Sequence, residues 1–105
     1  MSTRREKIES MLLEEPDDVF LRYSLALELE KEGEYEASLA RFSELQQDDP
    51  PYVPAFFMAG QMLARLDRIE EARAVLREGI EQARTQGDGH AAGEMGEFLA
   101  QLGGR

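Results

Sequence analysis

Pro16 and Pro50 stand thirty-four residues apart, and after each the chain runs through the same order of small, aromatic and aliphatic residues. A recurrence of that length confines the fold, because one supersecondary unit written twice hides its apolar faces by lying against its neighbour. At 105 residues the chain is expected to form one domain that buries roughly two-thirds of its unfolded surface. It has no Cys, so disulfides, thiolate metal sites and a thiol nucleophile are excluded. The net charge of −10 repels phosphate backbones and anionic headgroups. Neither nucleic acid nor a membrane surface is therefore expected as a partner. The excess lies mainly in residues 1–50, with fourteen acids against six bases, and it mildly favours a basic or neutral partner.

Each segment reads as a helix. From Thr3 to Glu15, Ile8, Met11 and Leu12 fall at i, i+3 and i+4 among charges, and Pro16 ends the run. Asp17 and Asp18 suit the N-terminus of a second helix reaching about Glu32, where backbone N–H groups lack partners. That helix carries Val19, Phe20, Leu21, Tyr23, Leu25, Ala26, Leu27 and Leu29. Such breadth requires neighbours on more than one side. Gly33 stops it in the place of a left-handed residue. Tyr35, Leu39, Phe42 and Leu45 form a third helix that ends at Asp48-Asp49-Pro50-Pro51. The short connection makes the second and third helices a hairpin.

With Pro54 in a first helical turn, the pattern restarts through Phe56, Phe57, Met58, Ala59, Met62, Leu63 and Leu66. Asp67 and Glu70 have the spacing of a capping box, and Ile69, Ala72, Val75, Leu76, Ile80 and Ala83 continue with helical period. Gly87-Asp88-Gly89 breaks the chain, and Ala92, Met95, Leu99 and Leu102 predict a sixth helix. Gly93 and Gly96 each cost that helix roughly 0.5–1 kcal/mol relative to Ala, so it needs to dock on the preceding hairpin.

A thirty-four-residue helix-turn-helix period resembles the tetratricopeptide repeat. Leu25-Ala26, Leu29, Gly33, Tyr35, Ser38, Phe42, Leu45 and Pro50 fall where that family places its small, aromatic, turn and closing residues. Phe56, Ala59-Gly60, Leu63, Ile69, Ala72 and Leu76 match a second time. The resemblance implies an all-α single domain over 1–105 with about six helices in a right-handed superhelix of antiparallel helix-turn-helix repeats. Residues 2–15 would be an N-terminal half-repeat, 19–52 and 53–86 whole repeats, and 89–103 a C-terminal capping helix. Small residues would let paired helices approach, Ala26 against Ser38 and Gly60 against Ala72. Departures are Arg22 for an aromatic, Asp67 for the turn glycine, Gly79 for Ala and Arg84 for the closing proline, the last implying a longer fifth helix.

The resemblance further implies a non-catalytic protein–protein interaction module, an adaptor whose first helices line a concave groove for a partner peptide or helix. The matching positions are Phe20, Tyr23, Leu27, Phe57, Met58, Gln61 and Arg65, with Ser24 and Lys31 beside them. Aromatic anchors, an adaptable Met and a rim Arg suit such a surface. The clamp with which some members hold a terminal carboxylate needs Lys and Asn where this chain has Tyr23, Leu27, Phe57 and Gln61. An EEVD-type chaperone tail is thus not expected. The alternative is a structural role, the same apolar face making a homodimer.

No enzyme, cofactor or metal is expected. His90 is the single histidine, and a general base would need an orienting partner and a pocket. The pairs Glu14-Glu15, Asp17-Asp18 and Asp48-Asp49 lie at predicted helix ends, where capping and dipole effects account for them. There is no apolar leader behind Arg4-Arg5 and no run long enough for a membrane span. A cytoplasmic protein is expected.

Overall fold

In a computed structural model, residues 3–103 are described, and every element among them is helical: α1 Arg4–Glu14, α2 Val19–Lys31, α3 Tyr35–Gln46, α4 Val53–Arg65, α5 Ile69–Thr85 and α6 Gly89–Gln101. Met1, Ser2 and the last two residues lie outside that range, including the first residue of the expected N-terminal half-repeat. The chain divides into two compact units, one ending at Asp48 and one beginning at Asp49.

The first unit holds α1, α2 and α3. Thr3 caps α1: the Glu6 N–H donates to Thr3 Oγ1 at 3.1 Å while the Thr3 N–H donates to Glu6 Oε1 at 2.8 Å. Two orphan donors are thereby satisfied at once. Ile8 is buried with Leu25 and Leu29, and Leu12 packs on them. Met11, predicted on that apolar face, is instead 49% exposed, so the apolar contact of α1 with α2 rests on Ile8 and Leu12, with Arg4 paired to Glu28 beside it. Asp18 caps α2 by accepting from the Leu21 N–H at 2.8 Å. Breadth on α2 has its reason in two neighbours, α1 on one side and α3 on the other. Between α2 and α3 the Ser38 hydroxyl donates to the Ala26 carbonyl at 2.6 Å, with both residues fully buried. The approach expected of that small pair is present, and the hydrogen bond removes the cost of burying a hydroxyl.

The second unit holds α4, α5 and α6. Its core is Val53, Phe56, Leu76, Ile80, Ala83, Ala92 and Met95. Two glycines set the close approaches. A Cβ on Gly79 would lie 2.5 Å from Phe56 Cβ and 2.7 Å from Met95 Sδ, and one on Gly60 would lie 2.7 Å from Leu76. The atoms nearest to Gly60 thus belong to Leu76, one turn beyond Ala72. At seventeen residues α5 outruns the twelve of α3, as the missing closing proline implies. The end of α6 is held by Arg73, whose Nη2 donates to the Leu102 and Gly103 carbonyls at 3.1 and 2.6 Å.

Three helices finish alike. Glu34, Arg68 and Asp88 N–H groups donate to the Leu29, Leu63 and Ala83 carbonyls, across Gly33 at φ +81°, Asp67 at φ +62° and Gly87 at φ +78°. The left-handed residue closes each helix on its own last carbonyls. Asp67 thus fills the turn-glycine place. It does not form the predicted capping box with Glu70: the residue before α5 is Arg68, and no side chain caps that helix. A residue held at positive φ one place earlier cannot also sit at the cap.

Candidate functional site

The residues predicted to bind a partner fall in both units. On α2, Phe20 is 71% exposed, an aromatic ring left in water on a helix that otherwise buries Leu21, Leu25, Ala26 and Leu29. Tyr23 and Leu27 are half-buried. The Tyr23 ring meets Phe42 of α3 edge to face, centroids 5.9 Å apart, so part of that ring serves the hairpin seam. On α4, Phe57, Met58 and Gln61 are half-buried and Arg65 is exposed in the last turn. None of the seven is fully buried.

Phe57 has a companion that periodicity did not single out. Its ring lies edge to face with Phe98 of α6 at 6.0 Å and 64°. An open cavity of about 200 Å³ on this side of the second unit is lined by Phe57, Glu94, Glu97, Phe98 and Gln101. The four α6 residues recur at intervals of three and four, which sets them on one helix face. That spacing was legible; what it faced was not.

Arg22, where the family has an aromatic, grips Asp48 through both carboxylate oxygens, Nη1 to Oδ2 at 2.7 Å and Nη2 to Oδ1 at 3.0 Å. Hydrogen bonding from the guanidinium holds the Asp48 carboxyl below the usual carboxylate range, against a small opposing effect of burial, and raises Arg22 in turn. Dipole effects do not account for Asp48: it follows the C-terminus of α3, where negative charge is unfavourable, and Arg22 offsets that cost. Arg68 pairs with Glu71 in the same forked way, and its hydrogen bonds hold Glu71 low.

His90 stands in solvent, 86% exposed, with Nε2 at 3.6 Å from Glu94. Asp88, two residues earlier, is the cap of α6, accepting from the Ala91 N–H at 3.0 Å. Among the described residues no three His, Cys, Asp or Glu side chains converge on a point where a metal would sit. No helix among them is long and apolar enough to cross a membrane.

A family model described as tetratricopeptide repeat matches residues 29–102. The TPR repeat-containing protein PA0015 of Pseudomonas aeruginosa is 28% identical over 97 residues, spanning 92% of this chain and 92% of that protein. A tetratricopeptide repeat domain protein from Salinibacter ruber, solved in solution, is 36% identical, with a TM-score of 0.78 over 85% of this chain and 90% of its own. The solution structure of protein BPP2914 from Bordetella parapertussis superposes at a TM-score of 0.82 with 26% identity, over 98% of this chain and 90% of that one.

Proposed function

The chain belongs to the tetratricopeptide-repeat family, whose fold generally serves protein–protein interaction, and on that premise we propose that it is a non-catalytic adaptor. It takes a peptide or helix of a partner protein on the first helix of each hairpin. The contact residues are Phe20, Tyr23 and Leu27 in the first unit and Phe57, Met58, Gln61 and Arg65 in the second. One observation carries this reading: Phe20 keeps 71% of its surface exposed on a helix whose other large side chains are mostly covered. An aromatic anchor of that kind contributes to binding when water leaves it, and most of the Phe20 ring is not used in packing its own unit.

The experiment is affinity capture from native lysate with the immobilised chain, followed by NMR shift mapping with the identified partner. The amides of Tyr23, Phe57 and Arg65 should move, and Phe20→Ala should weaken binding about tenfold or more, within the range for a central aromatic. A partner that leaves those amides unmoved and binds through α3 or α5 removes the proposal. A second reading, self-association, draws on Leu13, which is 85% exposed on α1. Its test is the mass in solution.

A further inference from the structure

The cavity lined by Phe57, Phe98, Glu94, Glu97 and Gln101 joins two features that belong to different ligands when found apart. Two phenyl rings offer an apolar, π-rich wall. Two carboxylates one turn apart on α6 offer negative charge and hydrogen-bond acceptors. Among the described residues the Glu97 carboxylate has no hydrogen-bond or ion-pair partner, and that of Glu94 has only the exposed His90 ring, at 3.6 Å. No Lys or Arg stands between Arg84 and Arg105, so α6 lacks a cation of its own to neutralise this face.

At about 200 Å³ the cavity is smaller than the roughly 300 Å³ at which sites for small organic ligands begin. It has room for one long side chain. An anion is repelled by Glu94 and Glu97, and a purely apolar side chain would leave the charge of both carboxylates without a counterpart. A guanidinium meets every requirement: its plane stacks on an aromatic ring, its fork of N–H groups donates to carboxylates, and it is weakly hydrated. An ammonium carries the charge without the plane.

We propose that this cavity receives an arginine side chain of the bound partner protein, with the guanidinium against Phe57 and Phe98 and its N–H groups donating to Glu94 and Glu97. This rests on the α4 face proposed above and specifies what lands on it. The net charge of −10 steers a basic segment toward the protein before contact.

The test titrates the isotope-labelled full chain with three capped pentapeptides, Gly-Leu-Arg-Leu-Gly and its citrulline and lysine counterparts. The arginine peptide should move the resonances of Phe57, Glu94, Glu97 and Phe98. Citrulline, of the same shape without the charge, should bind roughly tenfold more weakly, with lysine between them. Glu97→Gln and Phe98→Leu should each weaken the arginine peptide about threefold or more, and Glu97→Gln, which removes a charge and keeps the shape, should narrow the gap between the arginine and citrulline peptides. Equal affinity of the arginine and citrulline peptides on the α4 face overturns the arginine assignment and leaves the binding face standing. An arginine-selective response that maps away from α4 and α6 overturns both. No movement of these resonances by the arginine peptide, up to its solubility limit, overturns the assignment as well.

Discussion

At φ +62°, Asp67 holds a conformation that costs an L-residue about 1–2 kcal/mol, less for Asp than for most. Ala lacks even the tolerance that Asp has, so Asp67→Ala should lower stability by about 1 kcal/mol, whereas Asp67→Gly should match or exceed the parent. Urea unfolding of the three proteins decides it: an Ala variant as stable as the parent means the turn carries no strain. Arg22 and Asp48 make a second case. The folded carboxyl titrates below its unfolded counterpart, so the stability it adds is whole above about pH 4, the unfolded value. It is lost as pH falls through the lower folded value. Asp48→Asn should therefore flatten the acid limb of the stability profile below about pH 4. An unchanged limb would mean that the pair is worth nothing in solution.

At the scale of elements, α6 concentrates the balance of forces. Gly93 and Gly96 have open space where a Cβ would go, so nothing packs close enough to require their smallness. Replacing either with Ala should stabilise by about 0.5–1 kcal/mol through the unfolded chain. Gly79 on α5 is the opposite. There the new methyl would sit against Phe56 Cβ and Met95 Sδ, and Gly79→Ala should cost about 1–2 kcal/mol despite its better helix propensity. A sequence rule that treats all helical glycines alike predicts one sign for these variants; thermal melts that return one sign would refute the packing described for α5. Docking of α6 also depends on Arg73, which donates to the Leu102 and Gly103 carbonyls just past its end. Arg73→Ala should loosen that end by about 1 kcal/mol, read as lost amide protection in α6 ahead of α4 and α5.

For the molecule as a whole, the question is whether the exposed apolar residues are covered by another chain or by another copy. Leu13 and Phe20 are the most exposed large hydrophobics described, and five acids with no base lie between Lys7 and Arg22. Two copies meeting there would bring those charges together, which disfavours pairing at low ionic strength. Light scattering should return 11.9 kDa at every concentration in low salt. A mass that doubles with concentration, and returns to the monomer on Leu13→Ser, establishes self-association instead. Helix periods, the cap at Asp18, the left-handed turn at Gly33 and the recurrence of thirty-four were determined by the sequence itself, because each depends on residues within a few positions or on a repeat visible as text. The tertiary structure alone decided which distant groups met: Arg22 with Asp48, Arg73 with the end of α6, Phe57 with Phe98, Gly60 with Leu76. Those pairings depend on how helices rotate and slide against one another by a fraction of a turn, and one-dimensional periodicity carries no record of that choice.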